Sequence, residues 1–238
     1  LPNSVGLDVP YIVHVNWSDT EMPRTARIVL PGVPHHITQR GNHKQQVFYD
    51  DHDRMVYLAL LRENASANGM RILAYCLMPN HIHIVGIPAR EDSLAKAVGQ
   101  THYQYTTHFH TKLKTHGHLW QSRFYSCPMD EPHTLSALGY VELNPVRAGL
   151  VRDAWDYIWS SAKAHCYSNA QSTLLNLRRW RNHFTAVEWR ESLRIAADDI
   201  AFANKIRTYT HKGRPLGDRD FQQRAIDIVK AGNEGGPP

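Results

Sequence analysis

The chain has 238 residues, 42% of them hydrophobic and 21% charged, so it can bury a core, and its composition excludes general disorder. A net charge of +5 and an isoelectric point of about 9.1 favour an anionic partner. The sequence contains no apolar run of membrane-spanning length, no visible secretory signal and no Cys-x-x-Cys pair among its three cysteines, so we expect a reduced, cytoplasmic protein without membrane segments, disulfides or a thiolate zinc site.

The first 21 residues differ in charge from the rest of the chain. They contain no Lys or Arg and carry three acids, Asp8, Asp19 and Glu21. The stretch Met22-Pro23-Arg24 is typical of a natural start. We therefore interpret residues 1–21 as a leader, non-native or loosely ordered, and omit it from the fold prediction.

Residues 22–153 change repeatedly between the two-residue period of strands and the three-to-four-residue period of helices. Strands are predicted over residues 33–40, 70–77, 81–87 and 124–129. The first predicted helix begins at Asp50 or Asp51 and stops at Asn68-Gly69. The second follows a cap at Ser93 and continues to Phe109 or beyond. The third begins at Glu131 or Thr134 and stops at Gly149. The order β-α-β-β-α-β-α predicts an α+β fold, a ferredoxin-like or RRM-like antiparallel sheet with helices on one face.

Residues 154–238 have a different pattern and are predicted to form a helical C-terminal extension. Aromatic side chains cluster at its start, at Trp155, Tyr157 and Trp159. Residues 171–209 are basic with helical spacing, and residues 210–217 are predicted to be a loop. Asp218 is the expected cap of a last helix.

Two histidines two residues apart, His81 and His83, stand in the third predicted strand. Residues at this spacing point to one face of a sheet, which leaves Ile82 and Ile84 for the opposite, buried face. Two neighbouring neutral imidazoles suit a divalent metal. A His-x-His pair by itself is more often a pair of half-buried strand histidines than a metal site, so a second motif is needed.

The second motif is a tyrosine and an asparagine four residues apart, Tyr140 and Asn144, which share one face of a helix. Such a pair is also compatible with ordinary core packing and a helix-end hydrogen bond. Beside the histidines it indicates chemistry, because two imidazoles and an amide oxygen suit a metal that polarises a phosphate, and the tyrosine hydroxyl is a nucleophile. Glu142 points to another face, so we do not assign it as the base.

Together the two motifs resemble the single-tyrosine HUH transposases of the IS200-like superfamily, above all the REP-associated tyrosine transposases. The resemblance rests on His81-Ile82-His83 and on Tyr-Val-Glu-Leu-Asn-Pro-Val-Arg-Ala-Gly-Leu-Val, which begins at Tyr140. Further similar stretches follow in the matching order, at 34–42, 76–81, 120–124, 159–161 and 213–217. The resemblance covers residues 22–165 and returns near residues 205–225.

This resemblance implies that residues 22–153 form an HUH nuclease domain, which cleaves and rejoins single-stranded DNA at repetitive extragenic palindromic hairpins. It implies a 5′-phosphotyrosine intermediate on Tyr140, with Mg²⁺ or Mn²⁺ held by His81, His83 and a third side chain. Relatives carry a Gln one helical turn after the tyrosine, and the shorter Asn144 occupies that place here. DNA binding would associate the protein with the nucleoid.

DNA contacts are predicted from charge and position, because Lys and Arg neutralise phosphates and rings stack on unpaired bases. The predicted phosphate-binding residues are Arg40, Lys44, Lys112, Lys114, Arg123, Arg147, Arg152 and Arg214, and the predicted stacking residues are Tyr103, Tyr105, His116 and Trp120.

Two other functions stay open at this stage. A hairpin-binding module that does not cleave would tolerate Tyr140→Phe, and a metal-dependent hydrolase that uses water would lose activity in His83→Ala instead. The protein is expected to act as a monomer or a homodimer. Its extension is expected either to clamp the hairpin or to gate the active site.

Overall fold

A computed structural model describes residues 27–197 and 199–234. The predicted leader, residues 1–21, and the Met22-Pro23-Arg24 stretch lie outside these residues. Within them, four strands and nine α-helices alternate as β1-α1-β2-β3-α2-β4-α3, followed by the remaining six helices. None of the helices described is long and apolar enough to cross a membrane.

The bounds of these elements are as follows. The strands are β1 His35–Arg40, β2 Met70–Met78, β3 His81–Pro88 and β4 Tyr125–Pro128. The helices are α1 Asp51–Ala67, α2 Ser93–Leu113, α3 Glu131–Glu142, α4 Asn144–Arg147, α5 Ala162–Cys166, α6 Leu177–Arg181, α7 Ala186–Ala196, α8 Ile200–Lys212 and α9 Arg219–Glu234.

The four strands form one antiparallel sheet in the order β2-β3-β1-β4. Strands β2 and β3 are joined as a tight hairpin, with Met78 opposite His81. Strands β3 and β1 lie at the centre, which brings His81 opposite Arg40 and His83 opposite Thr38. This order and direction are those of the ferredoxin-like layer, so the α+β fold class predicted from the sequence is confirmed. The prediction that the helices lie on one face is wrong, because helices pack on both faces of the sheet.

Helices α1 and α2 cover one face of the sheet. Ile37, Ile82 and Ile84 point to this face and are fully buried with Tyr57 and Leu61 of α1. Helix α1 begins after Asp50, as predicted. The Asp50 side chain accepts a hydrogen bond from the backbone N–H of Asp53, and the Asp53 side chain accepts one from the backbone N–H of Asp50.

Helix α3 and the extension cover the other face. Cys76, Val85 and Cys127 of the sheet share a core cluster with Val141 of α3 and Ile206 of α8. The extension also reaches both edge strands. Ser161 N–H donates to the Tyr75 carbonyl on β2, and Leu216 N–H donates to the Pro128 carbonyl on β4. These bonds satisfy backbone groups that edge strands would otherwise expose.

The extension differs from its prediction in two places. Residues 210–212 belong to α8 and not to a loop, because Thr210 is buried and the helix ends only at Gly213, whose φ of +63° suits glycine. The predicted helical run over residues 171–209 is divided, because the Thr185 and Asp199 side chains each cap a new helix. Asp218 accepts from the N–H of Phe221 at the start of α9, as predicted.

Candidate active site

The two histidines of β3 stand side by side, as their spacing predicts. The ring centroids of His81 and His83 are 5.0 Å apart, and the rings meet edge to face. Ile82 and Ile84 point into the opposite core. The pair therefore lies on the sheet face that α3 and α8 cover.

Hydrogen bonds orient both imidazoles. His81 Nδ1 lies 2.7 Å from Asn80 Oδ1, and since that oxygen only accepts, Nδ1 carries the proton and Nε2 keeps its lone pair. His83 Nδ1 lies 2.9 Å from His36 Nε2. His36 Nδ1 in turn lies 2.7 Å from Thr210 Oγ1 on α8. The ring atom that His81 keeps for a ligand is therefore Nε2, and His83 keeps Nε2 in the tautomer in which its Nδ1–H donates to His36.

These imidazoles are neutral at pH 7. Burial, reinforced by the charges of Arg40 and Arg207, lowers the pKa of His81 to about 4. Burial and the neighbouring His81 and His36 hold the pKa of His83 well below its usual value. Burial lowers the pKa of His36 to about 3. A neutral imidazole is the form that binds a metal, so the ligand atoms need no deprotonation.

Tyr140 of α3 packs directly against this pair. Its ring lies edge to face with the ring of His83, with centroids 5.5 Å apart, and with that of His36 at 5.7 Å. Only 2% of the residue is exposed. Its hydroxyl oxygen accepts a hydrogen bond from Arg207 Nε of α8 at 3.2 Å.

Asn144 stands one turn beyond Tyr140, at the start of α4. Its Nδ2 donates to the Tyr140 carbonyl oxygen at 2.9 Å, which joins the end of α3 to α4. Because the amide nitrogen is used in this way, the amide oxygen is the atom left for a ligand. The residue is 7% exposed and lines the same cavity as Tyr140 and the histidine pair.

That cavity has a volume of about 420 Å³ and is basic. Three arginines line it, namely Arg40 of β1, Arg147 of α4 and Arg207 of α8. Arg147 donates through its two terminal nitrogens to the carbonyl oxygens of Tyr140 and Ala196, both at 3.1 Å. Further lining residues are His36, Thr38, Gln39, Met78, Gln121, Tyr125, Ala148, Thr210 and His211.

The donor set fits a divalent metal that also binds phosphate. Two imidazole nitrogens and an amide oxygen supply at most three positions, which leaves the others for water or phosphate oxygens. Across residues 27–197 and 199–234, no group of three or more His, Cys, Asp or Glu residues is arranged to hold a metal. The metal predicted from the sequence stays a prediction.

Glu142, two residues after Tyr140, points away from the cavity. Its carboxylate is fully buried and accepts hydrogen bonds from Ser161 Oγ at 2.5 Å, His165 Nδ1 at 2.6 Å and Trp189 Nε1 at 2.8 Å. All three donors belong to the extension. Glu142 thus connects α3 to the extension, in agreement with its omission as a general base.

The predicted phosphate-binding residues divide into three groups. Arg40 and Arg147 line the cavity. Lys112 pairs with Asp50 and Asp53 at 2.7 Å each, at the start of α1, and does not line the cavity. The others lie outside the cavity lining, namely Lys44, Lys114, Arg123 and Arg152, which are exposed, and Arg214, which is half-buried.

The prediction that Tyr105 stacks on unpaired bases is wrong. Tyr105 is 0% exposed and donates its hydroxyl to the Val47 carbonyl oxygen inside the core of the α1–α2 face. Tyr103 is 75% exposed, His116 is exposed and Trp120 is half-buried against the ring of His102. These three residues stay predictions for base stacking.

Sequence reasoning missed the contribution of α8. Arg207, Thr210 and His211 all line the cavity, at the i, i+3 and i+4 positions that share a helix face. That spacing is present in the sequence, but because a loop was predicted from residue 210, the three residues were not assigned to one helix face. His36 lay in a stretch used for the resemblance and was given no role of its own.

Residues 31–144 match the family model described as "Transposase IS200 like". This segment matches the IS200-like transposase family. It contains both histidines, Tyr140 and Asn144, so the resemblance predicted from the motifs is confirmed for the part of the chain that carries the site. No match was found among curated protein sequences.

Two solved structures are similar to the chain. One is a REP-associated tyrosine transposase solved bound to a REP hairpin, with 17% sequence identity, a TM-score of 0.53, and coverage of 64% of this chain and 90% of that one. At this identity the likeness supports the fold. The other is a candidate transposase from Deinococcus radiodurans R1, with 20% identity, a TM-score of 0.36, and coverage of 50% and 96%.

Proposed function

We propose that this chain is a DNA endonuclease and strand transferase that cleaves and rejoins single-stranded DNA at palindromic hairpins, with Tyr140 as the nucleophile. One observation carries the proposal. Tyr140, near the end of α3, and Asn144, at the start of α4, line the same cavity as His81 and His83 of β3. A tyrosine, two neutral imidazoles and a basic rim suit phosphoryl transfer to a tyrosine, because they supply a nucleophile, metal ligands and positive charge for the phosphate.

The proposed reaction exchanges one phosphodiester for another. The Tyr140 oxygen bonds to the phosphorus of the scissile phosphate and loses its proton. The bond from phosphorus to the 3′ oxygen breaks, and that oxygen gains a proton to leave a free 3′-hydroxyl. The 5′ phosphate remains on Tyr140 as an aryl phosphodiester, and attack by a 3′-hydroxyl reverses the step to join strands.

A metal fits the same arrangement. His81 Nε2, His83 Nε2 and the Asn144 amide oxygen would hold Mg²⁺ or Mn²⁺, which would withdraw charge from the phosphate. The hydrogen bonds that His81 and His83 form through Nδ1, to Asn80 Oδ1 and His36 Nε2, orient the imidazoles, and donation from Nδ1 would leave Nε2 of each ring for the metal. Arg40 adds positive charge opposite His81.

The proposed substrate is a repetitive extragenic palindromic hairpin. The REP-associated transposase that shares the fold was solved with such a hairpin bound. Exposed cations outside the cavity, among them Lys44, Lys114, Arg123 and Arg152, are proposed to hold its phosphates, and the half-buried Arg214 to assist them.

The experiment that tests this proposal looks for a covalent adduct. Wild-type protein is incubated with Mn²⁺ and a labelled single-stranded oligonucleotide that folds into a palindromic hairpin, and then denatured. We expect label that migrates with protein, is absent with a chelator, and disappears in Tyr140→Phe. His83→Ala should reduce the adduct strongly and leave hairpin binding intact.

A matched control is Tyr125→Phe, because Tyr125 lines the same cavity from β4. It should retain the adduct. Cut product that persists in Tyr140→Phe would indicate water as the nucleophile. Tight hairpin binding without adduct or cut product in the wild type would support a binding module instead.

A further inference from the structure

Arg207 extends from the C-terminal extension to the proposed nucleophile. Its Nε donates to the Tyr140 hydroxyl oxygen at 3.2 Å, and its guanidinium carbon lies 5.8 Å from the centre of the Tyr140 ring. A guanidinium only donates, so the Tyr140 oxygen is the acceptor and its own hydrogen points elsewhere. The contact joins positions 67 residues apart in the chain.

The charge of Arg207 is available to a ligand. Among the described residues no carboxylate forms an ion pair with it, and apart from Tyr140 its side chain donates one long hydrogen bond, of 3.5 Å, to Asn204 Oδ1. Arg207 is exposed and lines the cavity. Burial of His81 and His83 is the main cause of their lowered pKa, and the charge of Arg207 lowers the pKa of both further. Arg147, by contrast, directs its terminal nitrogens at backbone carbonyls.

Helix α8 holds Arg207 firmly in this position. Ala203, Ile206 and Thr210 are buried on the sheet, and Arg207 lies beside them at the cavity. The Asp199 side chain caps the start of the helix and Gly213 ends it. The backbone of Arg207 is therefore fixed beside the cavity, and the hydrogen bond from Nε to Tyr140 directs its guanidinium at the proposed nucleophile.

We propose that Arg207 is the residue that binds the scissile phosphate, so that the C-terminal extension completes the active site. This inference rests on the proposed function. The planar fork of the guanidinium would bind a non-bridging phosphate oxygen through its terminal nitrogens and keep Nε on the Tyr140 oxygen. Phosphorus and nucleophile would thus be held by one side chain, which also compensates the charge that develops during attack.

The test measures DNA binding separately from cleavage. In a Tyr140→Phe background, Arg207→Gln is assayed by fluorescence anisotropy with two probes, a palindromic DNA hairpin alone and the same hairpin with a single-stranded tail. We expect about tenfold weaker binding of the tailed probe and a salt dependence shallower by about 0.7, the loss of one phosphate contact on a single strand. Binding of the hairpin alone should not change.

With Tyr140 present, Arg207→Gln should slow adduct formation about 100-fold, and Arg207→Lys should fall between the two, because it keeps the charge and loses the fork. Lys205→Gln is the matched control. It removes the same charge two positions away on α8, where the side chain contacts His133 instead of Tyr140. It should leave tail binding and adduct formation unchanged.

The outcomes separate the two proposals. If the wild type forms no adduct, the proposed function fails, and the tailed-probe measurement still decides the role of Arg207. Equal affinity of Arg207→Gln and the parent for the tailed probe would overturn the inference. Faster adduct formation in Arg207→Gln would overturn it too, because Arg207 would then obstruct Tyr140. Equal thermal unfolding of the variants would exclude misfolding as the cause of a loss.

Discussion

Trp189 of α7 donates its indole N–H to the Glu142 carboxylate at 2.8 Å, two residues from Tyr140. The carboxylate is fully buried, and its other donors, Ser161 and His165, also belong to the extension. A buried carboxylate must be fully hydrogen-bonded, so the position of α3 depends on segments that follow it in the chain. The extension is thus part of the framework that places Tyr140.

The first prediction concerns this connection. Trp189→Phe should lower the free energy of unfolding by about 2 to 4 kcal/mol, because it removes a donor from a buried carboxylate and some packed volume. Urea unfolding followed by circular dichroism measures the loss. Trp180→Phe is the matched control, since Trp180 packs in the same aromatic cluster and its indole nitrogen has no hydrogen-bond partner among the described residues. Equal losses in both variants would mean that the Glu142 bond contributes nothing.

A second prediction concerns Lys112. It lies against Asp50 and Asp53, and the Asp53 side chain is 1% exposed. Lys112→Met should lower the free energy of unfolding by about 1 kcal/mol, since a partly exposed ion pair is lost beside a buried carboxylate. Affinity for single-stranded DNA, measured by anisotropy, should not change.

Lys114→Met serves as the comparison for Lys112→Met. Lys114 is exposed at the end of α2, so its replacement should leave stability unchanged. A clear loss of DNA affinity in Lys112→Met, with a shallower salt dependence, would instead support the phosphate contact that charge alone suggested.

A third prediction follows from a buried histidine far from the nucleophile. Burial lowers the pKa of His102 from 6.5 to about 3. Between these values the unfolded chain binds a proton that the folded chain does not, so stability falls as the pH falls below about 6.5. From pH 7 to pH 5 this group alone should cost about 2 kcal/mol.

Urea unfolding of the wild type and His102→Gln over this pH range measures that contribution. The variant should lose about 2 kcal/mol less than the wild type between pH 7 and pH 5, whatever its stability at pH 7. Parallel pH dependences for the two proteins would show that His102 does not stay neutral in the folded state.

The features that were predicted correctly from the sequence are those that depend on the spacing of residues close together in the chain. The alternation along β3 was enough to place His81 and His83 on one face, and the helical turn was enough to bring Tyr140 near Asn144. Asp50 and Asp218 were identified as caps because capping depends on adjacent residues. The prediction of Ser93 as a cap was wrong, because Ser93 is the first residue of α2 and follows Asp92 at the cap position. The ferredoxin-like antiparallel sheet was predicted from the order of the elements along the chain.

Long-range packing accounts for what the sequence did not predict. The approach of Arg207 to Tyr140 depends on how α8 crosses the sheet, which no local pattern encodes. Tyr105 has an aromatic ring that could stack on a base, yet the orientation of α2 places it in the core. Lys112 has the charge of a phosphate ligand, but α1 brings two carboxylates to it from 62 and 59 residues away.

The last prediction concerns the chain of hydrogen bonds that runs from Thr210 through His36 to His83. Thr210→Val keeps the volume and removes the hydroxyl, so His36 loses the partner that fixes its ring, and His83 is held less well for a metal. We expect Mn²⁺ affinity, measured without DNA by electron paramagnetic resonance, to fall about tenfold, with the adduct rate recovered at saturating Mn²⁺. Thr208→Val is the control, because the Thr208 hydroxyl bonds to the Asn204 carbonyl of its own helix. A lower adduct rate in Thr210→Val at every Mn²⁺ concentration, with unchanged Mn²⁺ affinity, would mean that Thr210 acts on the packing of α8 and not on the orientation of the histidines.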